Sequence, residues 1–551
     1  MLNEKNKDTL YGLLIVIVVF LVYANSLGND FTLDDHSVIL KNPALKGTVL
    51  SLFNSIDTTN ETQLLPFYRP VTYLTFLIEG RLHGFNPLFI RLFNVALHSI
   101  NAFLLYRLAR MLFKENIYAA MLTALIFAVH PLQSEGVNFN AGGRNTMLAY
   151  FFSISTYLLH NKSLITGKTY YAFIAATLFL TGLFSKETAL MILPFILALE
   201  IKSTRSTVPG ARMQSAFRLI PYFIAATIYI VMRWITLSKL GIQTSIIPGI
   251  GTNTLEAIYI TTTFSTRMIN NIYIIPNYLW SVICPTTLAN RYMIPDDLNL
   301  LILPLAGAWL CILSGLAWIL TKGRSYASLF GLAWLVFFWL PVSGIVFVPG
   351  AQQADRFIYI PVIGLWLIII DQVFRAFHFE KTFIRKYGSA VATIILIILA
   401  GLTIRRNLDW QNNLTLYTRF VEQYPDNVHA LAGLGKAYYS QGKFQNTERA
   451  EQAFEKTVSI DPNFPMIYTF LGNIKLNKED LNSAMHSYSK AIEVYPYDKE
   501  ARLNRGITLE KLGRPKEAIT DYLFYLTSPG SDDIPGGREH AQNRIKELSK
   551  P

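Results

Sequence analysis

Cysteine is nearly absent from the sequence: Cys284 and Cys311 are the only two in 551 residues, and both lie in or beside apolar stretches. That excludes a disulfide framework and leaves the redox compartment open. Charge is scarce too. Asp, Glu, Lys and Arg together make up 16% of the chain, whereas 52% is apolar. Soluble domains carry roughly 25% charged residues, so an ordinary soluble globule is excluded and a polytopic membrane protein is expected. No small-x-small cleavage site follows the apolar run "LYGLLIVIVVFLVYA", so it reads as an uncleaved first span. The formal net charge of +12 does not point to nucleic acid, because the basic residues cluster in short loops between apolar runs.

Apolar runs long enough to cross about 30 Å of hydrocarbon recur near 8–27, 88–112, 117–134, 141–160, 169–185, 187–201, 217–237, 300–320, 326–346, 357–376 and 389–406. A further apolar segment, 255–285, is interrupted by Arg267, Asn270, Asn271, Pro276 and Asn277 and reads as interfacial or re-entrant. Basic clusters mark the cytoplasmic side: Lys5/Lys7, Arg107/Arg110/Lys114, Lys162/Lys168, Lys202/Arg205/Arg212/Arg218, Lys322/Arg324 and Lys381/Arg385/Lys386. An even number of crossings must separate successive clusters. That parity gives eleven spans, an inside N-terminus and an outside C-terminal region. The outer side then holds loop 28–87 and the turns 130–144, 185–187, 238–299 and 347–356. The fold class expected is all-α: a polytopic helical bundle over 1–410, then a soluble tail over 411–551.

The tail repeats with a period of 34, the spacing from Pro462 to Pro496. One unit reads Tyr468, Leu471, Gly472, Ala484, Tyr488, Ala491, Pro496, and the next Arg502, Gly506, Leu509, Ala518, Tyr522. An earlier one reads Leu431, Leu434, Gly435, Tyr438, Ala450, Phe454, Pro462, with three extra residues before Ala450. This is the tetratricopeptide (TPR) pattern. Small residues let paired helices approach and aromatics fill the space between them. Three repeats are expected, at 428–462, 465–496 and 499–529, with a polar capping helix at 537–549. A TPR stack offers a concave surface to a protein partner and is not itself catalytic.

The chemistry is expected on the outer side. "NDFTLDDHSVILKN" places Asp34 and Asp35 side by side just beyond the first span. Adjacent carboxylates disfavour full ionisation of both and point different ways, so one can act while the other orients or binds. The bland reading is a loop cap. Other polar residues gather on the same side: Arg69 in "FYRP"; His130, Glu135 and Arg144 in "HPLQSEGVNFNAGGRN"; Lys186 and Glu187 in "FSKET"; Arg356 in "QQADRFIYIP". His98 lies inside the second span. Each alone reads equally as a salt bridge or a helix end, but charges at membrane depth are expensive and usually functional. Asp34, Asp35 and His36 are ligand types for a divalent metal. Three consecutive residues rarely converge on one ion and no second cluster has metal-site spacing, so no cofactor is assigned.

"FTLDDHSVILKNP", "YRPVTYLTFLIEGRLHGFNPLFIRLFNVALHSINAFLLY", "FAVHPLQSEGVNFNAGGRNTMLAYFF", "SKETALMILP" and "DRFIYIP", followed by TPRs, resemble the transmembrane-and-TPR-containing (TMTC-like) O-mannosyltransferases and their bacterial relatives, which are GT-C-fold glycosyltransferases. The resemblance covers nearly the whole chain. It departs in the tail, which is shorter than in the eukaryotic members. That puts the sugar and the acceptor in question and favours a bacterial inner membrane, with a cytoplasmic N-terminus and a periplasmic TPR domain. The resemblance implies a polyprenyl-phosphate sugar donor in the bilayer, a Ser or Thr hydroxyl of a protein acceptor docked by the TPR domain, and transfer with inversion. It implies a general base in the first outer loop, at Asp34 or Asp35. Asp34 is the expected base, with Asp35 orienting the acceptor or, if one is used, binding a metal. Arg356, Arg144, Lys186 and Arg69 are the implied donor-phosphate ligands. His98, His130, Glu135 and Glu187 would support them. The rival readings are a polytopic transporter, which lacks support because no repeat relates the two halves, and a membrane scaffold working through its TPRs.

Overall fold

The computed structural model describes the chain apart from residues 1–3, 55–66, 115, 205–210, 240–263, 295–300, 346–352, 378–381, 441–444, 529–533, 535 and 551. The described residues are helical or irregular, with no strands. They form two compact units, one ending at Gln411 and the other running from Asn412.

In the first unit, Asp8–Ser26, Pro87–Leu112, Arg212–Lys239, Ile302–Leu320 and Tyr387–Leu408 are long and apolar enough to cross a membrane. A bent pair, Ile117–Val129 and Pro131–Asn138, makes a sixth if it counts as one span. Among the described residues, length and composition alone thus mark fewer such helices than the eleven spans expected. The reasons are local. The Asn140–Thr166 helix has 27 residues but carries Arg144, Asn145 and His160. Tyr170–Ser185 and Tyr326–Val342 are apolar but short. The run expected at 187–201 starts as a 3-10 turn, Glu187–Ile192, and only then becomes the 12-residue helix Leu193–Thr204. The run expected at 117–134 breaks at His130, held extended (φ −76°, ψ 132°) by the following Pro131. Part of the interfacial segment forms the helix Phe264–Ile283, with Pro276 inside it. Its first residues, much of the loop 238–299, most of the turn 347–356, and the basic residues Arg205 and Lys381 lie outside the described residues.

The first helix runs antiparallel to Pro87–Leu112 and in the same direction as Thr382–Leu408. Asp8, low on the first helix, accepts from Tyr106, Arg107 and Arg110 at the far end of Pro87–Leu112. Asn25 and Asn29, at the top of the first helix, reach the end of Thr382–Leu408 through Ile404 O and Asn407 O. The backbone N–H of Asp30 then donates to Gln411 O at 2.8 Å. The membrane unit therefore ends beside the acidic loop. Glycines set the closest helix contacts. A Cβ on Gly364 would lie 2.2 Å from Gly331 O, so Val362–Ala376 and Tyr326–Trp339 touch backbone to backbone.

The second unit is a succession of helical hairpins: Val428–Tyr439 with Thr447–Ile460, Ile467–Asn477 with Leu481–Val494, and Lys499–Lys511 with Pro515–Thr527. Asn413–Gln423 precedes them and Gly537–Leu548 follows. The motif residues do what their types predict. A Cβ at Gly435, Gly472 or Gly506 would come within about 2.5 Å of Phe454, Tyr488 or Tyr522 respectively. Each aromatic ring fills the space left by the missing side chain. Asn427, Asn446, Asp480 and Asp498 cap the helix starts by accepting backbone N–H bonds.

Candidate active site

The acidic loop is built under strain. Leu33, a residue with a branched side chain, sits at φ +53°, in the left-handed region; that conformation costs roughly 1–2 kcal/mol and is tolerated where the surroundings over-determine it. Immediately after it the two carboxyls separate. Asp34 is exposed and Asp35 is completely buried. Asp35 Oδ1 accepts from Ala141 N at 2.7 Å, and Oδ2 from Asn140 Nδ2 at 2.9 Å and Thr32 N at 3.2 Å. Ala141 is in the first turn of Asn140–Thr166, so Asp35 satisfies a free amide at a helix N-terminus, where negative charge is favoured. Burial pushes the Asp35 pKa up, against the pull of the Ala141 amide, Arg91, Asn140 and Thr32. One acid is thus a structural anchor, and the other is presented at the surface a residue away. A single π-helical turn, His36–Leu40, follows.

Along the same helix, Thr146 is about 7.5 Å of axial rise beyond Ala141 at 1.5 Å per residue. Its hydroxyl accepts from Lys186 Nζ at 2.8 Å. Burial, reinforced by the nearby Arg69, pulls the Lys186 pKa down to about 7. Arg69 immediately precedes Pro70–His83, lies over the Phe67 ring, and donates to Glu187 Oε1 at 3.1 Å. Lys186, Arg69 and Glu187 therefore form one group, with two cations around one carboxylate. The same N-terminal region reaches Arg356 through Glu135. Arg356 donates to Glu135 Oε1 from its side chain at 2.5 Å and to Oε2 from its backbone at 2.8 Å.

Arg144 stands apart from these. It is fully enclosed, donating to Asn94 Oδ1 at 2.8 Å, Ile90 O at 2.7 Å, Thr75 and Glu79, between the rings of Phe76 and Phe93. Its donors hold three helices together. The histidines are likewise inside: His98 Nδ1 lies 2.8 Å from Tyr359 Oη, and His130 Nδ1 accepts from Leu132 N while Nε2 faces Val282 O at 3.0 Å. His130 is consequently neutral, with its proton on Nε2. No group of three or more His, Cys, Asp or Glu side chains among the described residues is placed to hold a metal ion.

Three residues of this layer escaped the sequence reading. Arg91, completely buried, donates to Asn138 O at 2.8 Å and Asp30 O at 2.7 Å. It is a charge within an apolar run, the same signal that singled out His98. Asp355 accepts from Tyr292 Oη at 2.6 Å and faces Arg406 at 3.5 Å; burial, with Glu135 nearby, lifts its pKa to about 7 against the pull of Arg406. Asn407 has no signal of its own, because an asparagine near a helix end is commonplace.

These features define a polytopic helical membrane protein with a polar layer at one end of its bundle, followed in the chain by a TPR unit. The profile of the family described as dolichyl-phosphate-mannose-protein mannosyltransferase matches residues 69–232, which include Arg69, Arg91, Arg144 and Lys186. A tetratricopeptide-repeat profile matches 405–465 and 471–531. The chain is 27% identical over 481 residues to a protein O-mannosyl-transferase of Caenorhabditis elegans, covering 84% of this chain and 64% of that one. It is 25% identical over 594 residues to the protein O-mannosyl-transferase TMTC3 of Homo sapiens, covering 93% of this chain and 63% of that one. The mouse TMTC3 is 23% identical, with the same coverage. The chain is thus similar to TMTC-type proteins over most of its own length, and it spans slightly less than two thirds of theirs.

Proposed function

We propose that the chain is a membrane glycosyltransferase that moves mannose, or another hexose, from a polyprenyl-phosphate carrier to a Ser or Thr hydroxyl of a protein. The observation that carries this reading is the sorting of the acid pair. Asp35 is locked onto a helix N-terminus and Asp34 is exposed beside it; Lys186 is bonded to Thr146 of that helix, Arg69 to Glu187 next to Lys186, and Arg356 to Glu135 in the turn before the helix. A base and cations from separate elements, tied to the Asn140–Thr166 helix and the turn before it, suit a displacement at an anomeric carbon.

In that displacement the acceptor oxygen attacks the anomeric carbon from the face opposite the phosphate, and configuration inverts. Asp34 takes the hydroxyl proton as the new C–O bond forms. The bond to the phosphate oxygen breaks and its electron pair leaves with the lipid phosphate. Lys186, Arg69 and Arg356 stabilise that growing charge through charge-assisted hydrogen bonds. Arg144, with its donors turned inward, holds the helices that carry the others. Asp35 orients the loop. The TPR unit is the docking module for the protein acceptor. The acidic-loop end faces the periplasm of a bacterial inner membrane, with the N-terminus in the cytoplasm.

The test is direct. Purified protein is supplied with polyprenyl-phosphate mannose and a Ser/Thr-rich peptide, and the product mass is measured. Wild type should add hexose and Asp34→Asn should not, at equal thermal stability. Full activity in Asp34→Asn would end the assignment of the base. Intact-mass glycoproteomics of cells lacking the protein would identify the natural sugar and acceptor.

A further inference from the structure

The acidic loop has two faces, and only one has been accounted for. Asp35 holds it to the Asn140–Thr166 helix. The preceding residues, 25–30, are held by a separate set of bonds. Arg91 Nη2 donates to Asp30 O at 2.7 Å and Asn29 O at 3.3 Å, while its Nη1 donates to Asn138 O at 2.8 Å. Asn138 Nδ2 in turn donates to Asn407 Oδ1 at 2.9 Å. Asn407 Nδ2 donates to Val22 O and to Asn25 Oδ1, both at 3.0 Å, and its backbone carbonyl accepts from Asn29 Nδ2 at 3.0 Å. Arg91 and Asn407 are both completely buried.

Two features make this more than generic packing. Four separate stretches meet here: the top of the first helix, Pro87–Leu112, the outer turn at Asn138, and the end of Thr382–Leu408. Arg91 holds the backbone carbonyls of Asn29 and Asp30, and Asn407 accepts from the Asn29 side chain and donates to Val22 O and Asn25 Oδ1, so the bonds fix the segment that ends four positions before Asp34. The planar guanidinium bridges two carbonyl groups of the loop and one of the outer turn at once, a geometry that lysine cannot reproduce. The loop then departs through the strained Leu33, which needs both sides fixed to persist.

We propose that Arg91 and Asn407 are positioning residues: they clamp Asn29 and Asp30, and through them set where the Asp34 carboxylate stands. This deepens the proposed function and rests on it for the catalytic consequence. Neither residue touches the reacting groups. Their loss leaves the cationic cluster in place and displaces the base, and a displacement of about 1 Å lowers turnover on the order of a hundredfold.

The experiment uses the full-length protein in detergent or nanodiscs and two readouts. Hydrogen exchange by mass spectrometry follows the amides of residues 29–40. Transfer kinetics separate kcat from KM for the donor. Arg91→Met and Asn407→Asp should speed exchange in 29–40 by about tenfold or more, from the loss of buried hydrogen bonds, and leave 117–129 protected. They should lower kcat roughly 10- to 100-fold with donor KM within about twofold. Arg91→Lys should recover part of the loss. If Arg91→Met fails to fold, Asn29→Ala removes one bond of the clamp and should move both readouts the same way. Unchanged exchange in 29–40 would overturn the inference, as would a rise in donor KM at constant kcat. The exchange readout needs no turnover. A wild type without transferase activity would sink the proposed function and leave the clamp to be judged by exchange alone.

Discussion

The two ends of the helical bundle handle buried charge differently. At the end away from the acidic loop, each carboxylate sits in a small closed group. Asp8 is held by Tyr106, Arg107 and Arg110. Glu200 is held by Arg218 at 2.7 Å and 3.0 Å, with His160 at 3.0 Å. Asp371 is held by Ser325 and Ser328. At the acidic-loop end the groups join up. Arg91, Asn138 and Asn407 link to the loop, Asp35 links the loop to the next helix, and that helix leads to Lys186 and, through the turn before it, to Arg356. Closed groups fasten neighbouring helices. A continuous layer ending in an exposed acid and a buried lysine can hold a substrate.

The comparison is best broken by mutation at both ends. The largest effect expected is on Asp34. Asp34→Asn should lower transfer by about 10²- to 10⁴-fold, the usual contribution of a general base, with no change in melting temperature. Next is the floor of the same layer. A Cβ at Gly143 would lie 2.0 Å from Gly136 O, so Gly143→Ala must push the outer turn off the helix start. A loss of about 1–3 kcal/mol is expected, read by thermal denaturation, with transfer falling alongside. At the opposite end, Glu200→Gln leaves Arg218 and His160 without a charged partner. It should destabilise by about 1–3 kcal/mol and leave kcat and donor KM unchanged. A kinetic effect there would erase the distinction between the two ends.

The smallest effect is on pH dependence. Lys186 is held near pKa 7, below the ordinary 10.5 of lysine. Between about pH 7 and 10.5 the unfolded chain therefore binds the proton more tightly than the folded one. This group's contribution to stability is complete above 10.5 and is lost as pH falls towards 7. Donor binding runs the other way, because only the protonated amine pairs with phosphate. Donor KM should rise as pH passes through 7, and Lys186→Arg should remove that rise. A pH-independent KM in wild type would take Lys186 out of the phosphate site.

Much of this layer was legible in the residues themselves. Asp34, Asp35, Lys186, Glu187 and Arg356 stand out because a charge beside an apolar run needs a reason. Arg91 carried that signal too. What did not show was which charges would be used up internally. Arg144 and Arg356 look alike in sequence, yet one is enclosed by Asn94, Ile90, Thr75 and Glu79, while the other keeps a partly exposed side chain beside Glu135. Those partners come from helices distant in the chain. Span counting was also limited, because a run such as 187–201 has the composition of a span while its first turns follow the geometry of the Lys186 corner.

Composition and the 34-residue period were enough to establish a helical membrane unit and a TPR unit. These are one-dimensional properties, set by hydropathy and helical period along the chain. Only the folded bundle decided that Asp35 is buried and Asp34 exposed, and that Arg91 and Asn407 hold the loop between them. Burial and hydrogen-bond partners at those positions depend on four segments meeting in space, and no local stretch of sequence contains that information.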